Sequence, residues 1–119
     1  LAANATSRSL RIWCAAVSTG QEAYSLAMIL DEMAQRLAGW RVEILGTDIS
    51  TEVLERARQG VYSQFEVQRG LPIQMLLRYF RQDGDKWQVN ERIRAMVDLK
   101  PHNLLEPNAH FGQFDVIFC

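Results

Sequence analysis

The alternation of short apolar runs with longer amphipathic stretches in the first half of the chain limits its fold more than any other feature. Residues 10–17 form an apolar run that ends in small and polar residues, which predicts a buried strand. Over 22–37, apolar residues recur at steps of three and four, which predicts a helix ended by Gly39. A second strand is predicted over 41–47 and a second helix over 51–59. This order indicates a parallel sheet with right-handed crossovers.

The pattern changes in the second half of the chain. A helix is predicted over 71–80, and after a turn the segment 86–89 is predicted to return as a short antiparallel strand. We interpret residues 62–95 as an excursion from the main sheet that carries a small hairpin. The main sheet is predicted to resume over 96–102 and to gain a further strand over 114–119.

Four predicted strands make a small sheet for a doubly wound α/β fold. We therefore expect the chain to be a fragment, with residues 1–9 a linker from a preceding domain and 10–119 a partial binding domain.

Composition and charge exclude several classes of function. The formal net charge is -1, so no electrostatic argument favours nucleic acid or an anionic membrane. No apolar run approaches the roughly 20 residues needed to cross a bilayer, and membrane insertion is not expected. The two cysteines, Cys14 and Cys119, are interpreted as buried thiols in preference to a disulfide or a nucleophile. No ligand spacing predicts a metal site, and a reducing cytoplasm fits this cysteine usage.

The first candidate site is the turn after the first strand, which carries Ala16, Ser18, Gly20 and Glu22. Ligands of open parallel sheets bind beyond the carboxyl ends of the strands, and small residues let a ligand approach the backbone. A dinucleotide fingerprint needs three glycines at fixed spacing, whereas this turn has one. Glu22 would repel a phosphate but can hold an ammonium group; the alternative is an acid that only favours a helix N-terminus.

Two further candidate segments follow the predicted strands over 41–47 and 96–102. Asp48, followed by Ile49, can accept both hydroxyls of a ribose, or it can simply cap the next turn. Asn103 has the donor and acceptor needed to read an adenine edge and Leu104 could cover the ring, although asparagine is also an ordinary turn former. Together with the first turn, these segments predict a nucleoside without phosphate that carries a positive amino-acid tail.

Several ordered motifs resemble one protein family over nearly the whole chain. The turn and helix at 10–28 resemble the cofactor loop of chemotaxis receptor methyltransferases, the CheR family. Further motifs of the same family match, in chain order, residues 46–49, 52–58, 60–62, 78–80, 103–105 and 114–119.

The resemblance implies a class I methyltransferase fold, a Rossmann-like, mostly parallel doubly wound sheet, incomplete at its C-terminal side, with a small inserted antiparallel hairpin subdomain. It implies binding of S-adenosylmethionine and methylation of glutamate side chains on the cytoplasmic domain of chemoreceptors, which forms methyl esters in chemotaxis adaptation. Carried over by motif, Glu22 holds the methionine ammonium, Asp48 the ribose hydroxyls, and Asn103 and Leu104 the adenosine. Ala16, Ser18, Gly20 and Ile49 complete the expected cofactor contacts.

Methyl transfer to a carboxylate requires no general base, because an unperturbed glutamate has a pKa of about 4.3. The catalytic residues are expected in segments that this chain lacks, so the chain alone is expected to be inactive. The hairpin around 83–85 is short, and tethering through a receptor pentapeptide is not expected. The alternative to an enzyme is a cofactor-sensing or protein-interaction module; a nicotinamide oxidoreductase is disfavoured by the single glycine.

Overall fold

Two sheets organise the protein, which we describe from a computed structural model over residues 9–34, 36–69, 71–103 and 112–118. The elements in chain order are β1 (Ser9–Cys14), α1 (Gln21–Glu32), β2 (Arg41–Asp48), α2 (Thr51–Gln59), β3 (Val61–Ser63), α3 (Gln64–Gln68), α4 (Ile73–Tyr79), β4 (Phe80–Asp83), β5 (Lys86–Val89), α5 (Glu91–Ala95), β6 (Val97–Pro101) and β7 (Val116–Phe118).

The larger sheet has the strand order β6-β2-β1-β7, and each of these described strands is parallel to its neighbours. The chain runs outward from β1 through β2 to β6, and then returns to add β7 on the other side of β1. Strand order therefore reverses at β1, and an open α/β sheet has its ligand crevice at such a point. The predicted α/β fold, with a parallel main sheet and a separate small antiparallel sheet, is confirmed.

Alternation along β1 separates the two faces of the larger sheet. Leu10, Ile12 and Cys14 point into the main hydrophobic cluster, which also holds the buried residues of α1 to α5. Arg11 and Trp13 lie on the opposite face, because successive side chains of a strand point to opposite sides. The helices of the described part of the chain thus pack against one face of the sheet.

The first strand and the first helix are both shorter than predicted. β1 ends at Cys14 instead of continuing to residue 17, because the next residues leave the extended conformation. α1 ends at Glu32 and not near residue 37. The turns that follow contain hydrogen bonds between residues three positions apart, such as Trp40 N–H to Leu37 O at 2.8 Å. These turns pack Leu37 and Trp40 against the core. Apolar residues at a spacing typical of an α-helix are therefore buried here by tighter turns.

The second helix has the predicted bounds, and local chemistry explains both ends. The Ser50 hydroxyl accepts the N–H of Val53 at 3.2 Å, which satisfies a backbone donor of the first turn. Gly60 ends the helix with φ 64°, a left-handed conformation that glycine adopts without steric cost.

The smaller sheet, with order β3-β5-β4, is antiparallel and lies within residues 61–89. Its β4–β5 hairpin turns at Gly84, and β5 has the predicted bounds. Strand β3 and helices α3 and α5 were not predicted from the sequence. β3 spans only three residues, too few to show alternation, whereas α3 begins with a capping box between Ser63 and Glu66 that the sequence does display.

Side chains tie the inserted segment to the C-terminal end of α1. Asp31 accepts the Tyr79 hydroxyl at 2.8 Å and an Arg92 nitrogen at 2.9 Å. Glu32 pairs with Arg78 of α4 at 2.7 Å. Among the described residues, the helices lack the length and apolar character that a membrane span requires.

Candidate cofactor site

Three loops meet at the carboxyl edge of the larger sheet, following β1, β2 and β6. The N–H of Val17 donates to the carbonyl of Thr47 at 2.7 Å, which joins the first loop to the end of β2. The N–H of His102 donates to the carbonyl of Asp48 at 3.0 Å, which joins the third loop to the same strand end. The segments that the sequence singled out are thus neighbours in space.

The loop after β1 has an unusual backbone. Ala16, Ser18 and Gly20 adopt positive φ angles of 55°, 56° and 88° at alternate positions. For alanine and serine the left-handed conformation costs about 1–2 kcal/mol each. Such strain persists only where surrounding contacts fix the backbone, and it is concentrated at functional sites.

The carboxylate of Asp48 is one of the contacts that fix this loop. Its Oδ2 accepts the backbone N–H of Ser18 at 2.9 Å, and its Oδ1 accepts the N–H of Ser50 at 3.0 Å. A carboxylate has about four lone-pair positions, so each oxygen can accept one further hydrogen bond. The half-buried acid therefore holds the loop and retains the capacity to accept two hydroxyl donors.

Glu22 is exposed in the first turn of α1, and its charge acts at the end of β1. Burial raises the pKa of the Cys14 thiol, and the negative charge of Glu22 raises it further. Cys14 is the last residue of β1, so the charge of Glu22 lies near the carboxyl end of that strand.

These features find a match among known proteins. The family described as CheR methyltransferase, SAM binding domain, matches residues 1–119. This chain belongs to that family. The predicted family is therefore confirmed, and the cofactor that the family binds is S-adenosylmethionine.

Curated relatives of this chain are chemotaxis protein methyltransferases. A chemotaxis protein methyltransferase of Vibrio parahaemolyticus is 41% identical over 118 residues, which cover 97% of this chain and 43% of the relative. Chemotaxis protein methyltransferase 1 of Pseudomonas aeruginosa is 43% identical over 92% of this chain and 42% of the relative. The Escherichia coli chemotaxis protein methyltransferase is 40% identical over 92% of this chain and 39% of the relative. The chain thus spans about two fifths of the length of these relatives.

Gly20 has a structural role in this CheR-family domain that the sequence did not reveal. It is buried, and a Cβ atom added to it would lie 3.1 Å from the Cβ of Ala57 and 3.2 Å from the Cε2 of Tyr24. The glycine therefore permits both the left-handed backbone and the close approach of α2 to α1. Ala16 and Ser18, in contrast, are exposed on the loop surface.

The remaining predicted residues lie after β2 and β6. Ile49 is 70% exposed beside Asp48, so an apolar surface is available next to the acid. Asn103 is half-buried and follows His102, whose backbone is bonded to Asp48. Leu104 lies outside the described residues.

Sequence reasoning missed the buried side-chain contacts that hold these loops in place. The buried Thr47 hydroxyl accepts the Trp13 indole N–H at 2.9 Å, and the Trp13 ring meets His102 edge-on at 5.8 Å. The Tyr62 hydroxyl donates to the carbonyl of Thr19 at 2.6 Å. These pairs are distant in the chain, and no local pattern indicates them.

A cavity of about 480 Å³ lies beside α1, against the inserted segment. Its lining includes Glu22, Tyr62 and Val67 but neither Asp48 nor Asn103. Of the predicted ammonium, ribose and adenine contacts, the cavity therefore includes only Glu22.

Proposed function

We propose that this chain is the S-adenosylmethionine-binding part of a methyltransferase that converts glutamate side chains of chemoreceptors into methyl esters. The observation that carries the proposal is the Asp48 carboxylate, which fixes the strained loop after β1 through Ser18 and keeps acceptor capacity at the strand end. The names of the relatives, chemotaxis protein methyltransferases, support chemotaxis as the process.

The residues present fit the parts of this cofactor. Asp48 would accept the two ribose hydroxyls, and Glu22 would hold the ammonium of the amino-acid tail. Asn103 would bond the edge of the adenine ring. The exposed side chain of Ile49 would lie against the nucleoside and lose contact with water. Leu104, as the sequence predicts, would cover the ring.

The loop itself contributes shape. Ala16, Ser18 and Gly20 present backbone with small or no side chains, so a ligand can approach the strand end closely. Two of the three are exposed, whereas Gly20 acts through the backbone conformation that it allows.

Methyl transfer to a carboxylate depends mainly on the alignment of the methyl donor with the carboxylate. S-adenosylmethionine, when bound, supplies a methyl group activated by a sulfonium. A receptor glutamate is already ionised at neutral pH, since its unperturbed pKa is about 4.3, so no residue of this chain needs to act as a base. Asp48 and Glu22 contribute by fixing the two ends of the bound molecule, which sets its orientation toward an incoming carboxylate.

We place the residues that contact the receptor carboxylate outside this chain, since the relatives are more than twice its length. The protein substrate is the cytoplasmic domain of a chemoreceptor, and the protein acts in the cytoplasm. The β4–β5 hairpin has strands of four residues each, and we propose that it does not tether a receptor pentapeptide.

Calorimetric titration with S-adenosylhomocysteine tests the proposal. The chain is compared with Asp48→Ala and with the matched control Asp98→Ala, which removes an exposed carboxylate from the neighbouring strand β6. We expect saturable binding by the original chain and by Asp98→Ala, and binding about 10- to 100-fold weaker in Asp48→Ala, because charge-assisted hydrogen bonds contribute about 1.5–3 kcal/mol.

Circular dichroism checks that each variant is folded. Equal affinity in a folded Asp48→Ala variant, or tighter binding of NADH than of S-adenosylhomocysteine, would contradict the proposed site.

A further inference from the structure

Tyr62 links the inserted segment to the loop after β1. It lies in β3, and its hydroxyl donates to the carbonyl oxygen of Thr19 at 2.6 Å. Tyr62 is 2% exposed, and the bond is partly buried. A residue of the small sheet therefore contacts the backbone that carries the candidate cofactor site.

The contact closes a set of bonds around the strained loop. On one side, β2 holds the loop through the N–H groups of Val17 and Ser18, which donate to Thr47 O and to the Asp48 carboxylate. On the other side, Tyr62 holds the carbonyl of Thr19, which belongs to the peptide group between Thr19 and Gly20. Ser18 and Gly20, the residues before and after Thr19, both have positive φ angles, so the backbone here depends on these contacts.

Tyr62 is itself firmly anchored. Its backbone is paired with Trp87 of β5, and its ring meets Phe80 of β4 edge-on at a centroid distance of 6.5 Å. Burial raises the pKa of the Tyr62 hydroxyl above its ordinary value, so the group remains a hydrogen-bond donor at neutral pH. A second bond from the same side, Gln21 Nε2 to Glu66 O at 3.2 Å, lies just beyond Gly20.

We propose that Tyr62 is a positioning residue: by holding the Thr19 carbonyl it sets the loop and the start of α1, so that Glu22 meets the amino-acid part of the cofactor. The inference rests on the proposed cofactor site and adds a residue that acts on it without touching the ligand. It also couples the inserted segment to cofactor affinity, because any shift of β3 moves the Thr19 peptide.

Tyr79 provides a matched control. It is also buried, it also belongs to the inserted segment, and its hydroxyl also bonds to a residue of the α1 region, Asp31, at 2.8 Å. Asp31 lies near the C-terminal end of α1, far along the helix from the loop. Tyr62→Phe and Tyr79→Phe therefore remove the same group from two ends of one helix.

The first measurement needs no ligand. Hydrogen exchange of the Val17 and Ser18 amides is followed by NMR in the original chain and in both variants. We expect exchange at these two amides to accelerate about 10-fold in Tyr62→Phe and to remain unchanged in Tyr79→Phe. Unchanged exchange in Tyr62→Phe, or equal acceleration in Tyr79→Phe, would overturn the inference.

The second measurement separates positioning from general destabilisation. S-adenosylhomocysteine is compared with 5′-methylthioadenosine, a nucleoside that lacks the amino-acid part. We expect Tyr62→Phe to weaken binding of the first about 3- to 10-fold and to leave the second unchanged, with no effect of Tyr79→Phe on either.

Equal weakening of both ligands would overturn the inference, since Tyr62 is proposed to act through Glu22 on the amino-acid part. Failure of the original folded chain to bind either ligand would count against the proposed cofactor site. In that case the exchange rates still decide whether Tyr62 holds the loop.

Discussion

Glu22 and Glu52 occupy equivalent positions in successive helices. Each is the second residue of its helix, each lies in the first turn, and both are exposed. A negative charge at this position is favoured by the helix dipole, typically by about 0.3–1 kcal/mol. The two differ in their surroundings, because only Glu22 influences the thiol at the end of β1.

This equivalence separates helix stability from ligand binding. We expect Glu22→Gln and Glu52→Gln to lower the free energy of unfolding by similar amounts, about 0.3–1 kcal/mol. Only Glu22→Gln should weaken binding of S-adenosylhomocysteine, by about 10-fold or more, because it removes the counter-ion of the ligand ammonium. Urea denaturation and calorimetry measure the two effects, and a binding loss shared by both variants would assign Glu22 to the helix alone.

The packing role of Gly20 can be tested against Gly84. Both adopt positive φ, 88° and 62°, but a Cβ at Gly84 would meet nothing within 4 Å. Gly84→Ala should therefore lower the free energy of unfolding only by the cost of a left-handed backbone at alanine, about 1 kcal/mol. Gly20→Ala should lose about 2–4 kcal/mol, because its Cβ would also crowd Ala57 and Tyr24.

Denaturant unfolding of the two glycine variants gives the comparison directly. Equal losses would mean that α2 moves away from α1 at no cost in free energy, and that the close approach at Gly20 does not contribute to stability.

The fold could be predicted wherever the pattern was long. The strand and helix over 41–59 came out with nearly the observed bounds, because apolar spacing and local caps agree there. The first helix was overestimated, since residues up to Leu37 keep a helical spacing while tertiary packing selects tighter turns. The three-residue strand β3 is stabilised by its partner β5 and carries no pattern of its own.

The candidate ligand-binding residues of the site could be predicted from the sequence, but the contacts that hold its loops in place could not. Asp48 and Glu22 are indicated by residue type at the ends of strand and turn. The positive φ angles of Ala16 and Ser18 cannot be read from residues that rarely adopt them. The bond from Tyr62 to Thr19 spans 43 positions, and only the folded chain brings the two together.

The three tyrosines predict a loss of stability at alkaline pH. Tyr24, Tyr62 and Tyr79 are all buried in the core. Burial raises the pKa of Tyr24 to about 12, with Arg94 and Arg58 opposing the rise. In the unfolded chain a tyrosine has a pKa of about 10. Between these values the unfolded state loses its proton first, so stability is complete below about pH 10 and is lost as the pH rises through about 12.

Tyr24→Phe isolates one of these contributions. Above about pH 10, each buried tyrosine should make the free energy of unfolding fall by a further amount of about 1.4 kcal/mol per pH unit, which corresponds to one proton. In Tyr24→Phe the slope of unfolding free energy against pH should be smaller by about that amount. At neutral pH the variant loses the bond from Tyr24 to Ala57 O, worth about 1 kcal/mol. Ile93→Val, which costs about 0.5–1.5 kcal/mol at a buried site without a titrating group, should keep the original slope. Urea denaturation across the alkaline range measures all three chains, and a slope unchanged by Tyr24→Phe would mean that the Tyr24 hydroxyl ionises as readily in the folded protein as in the unfolded one.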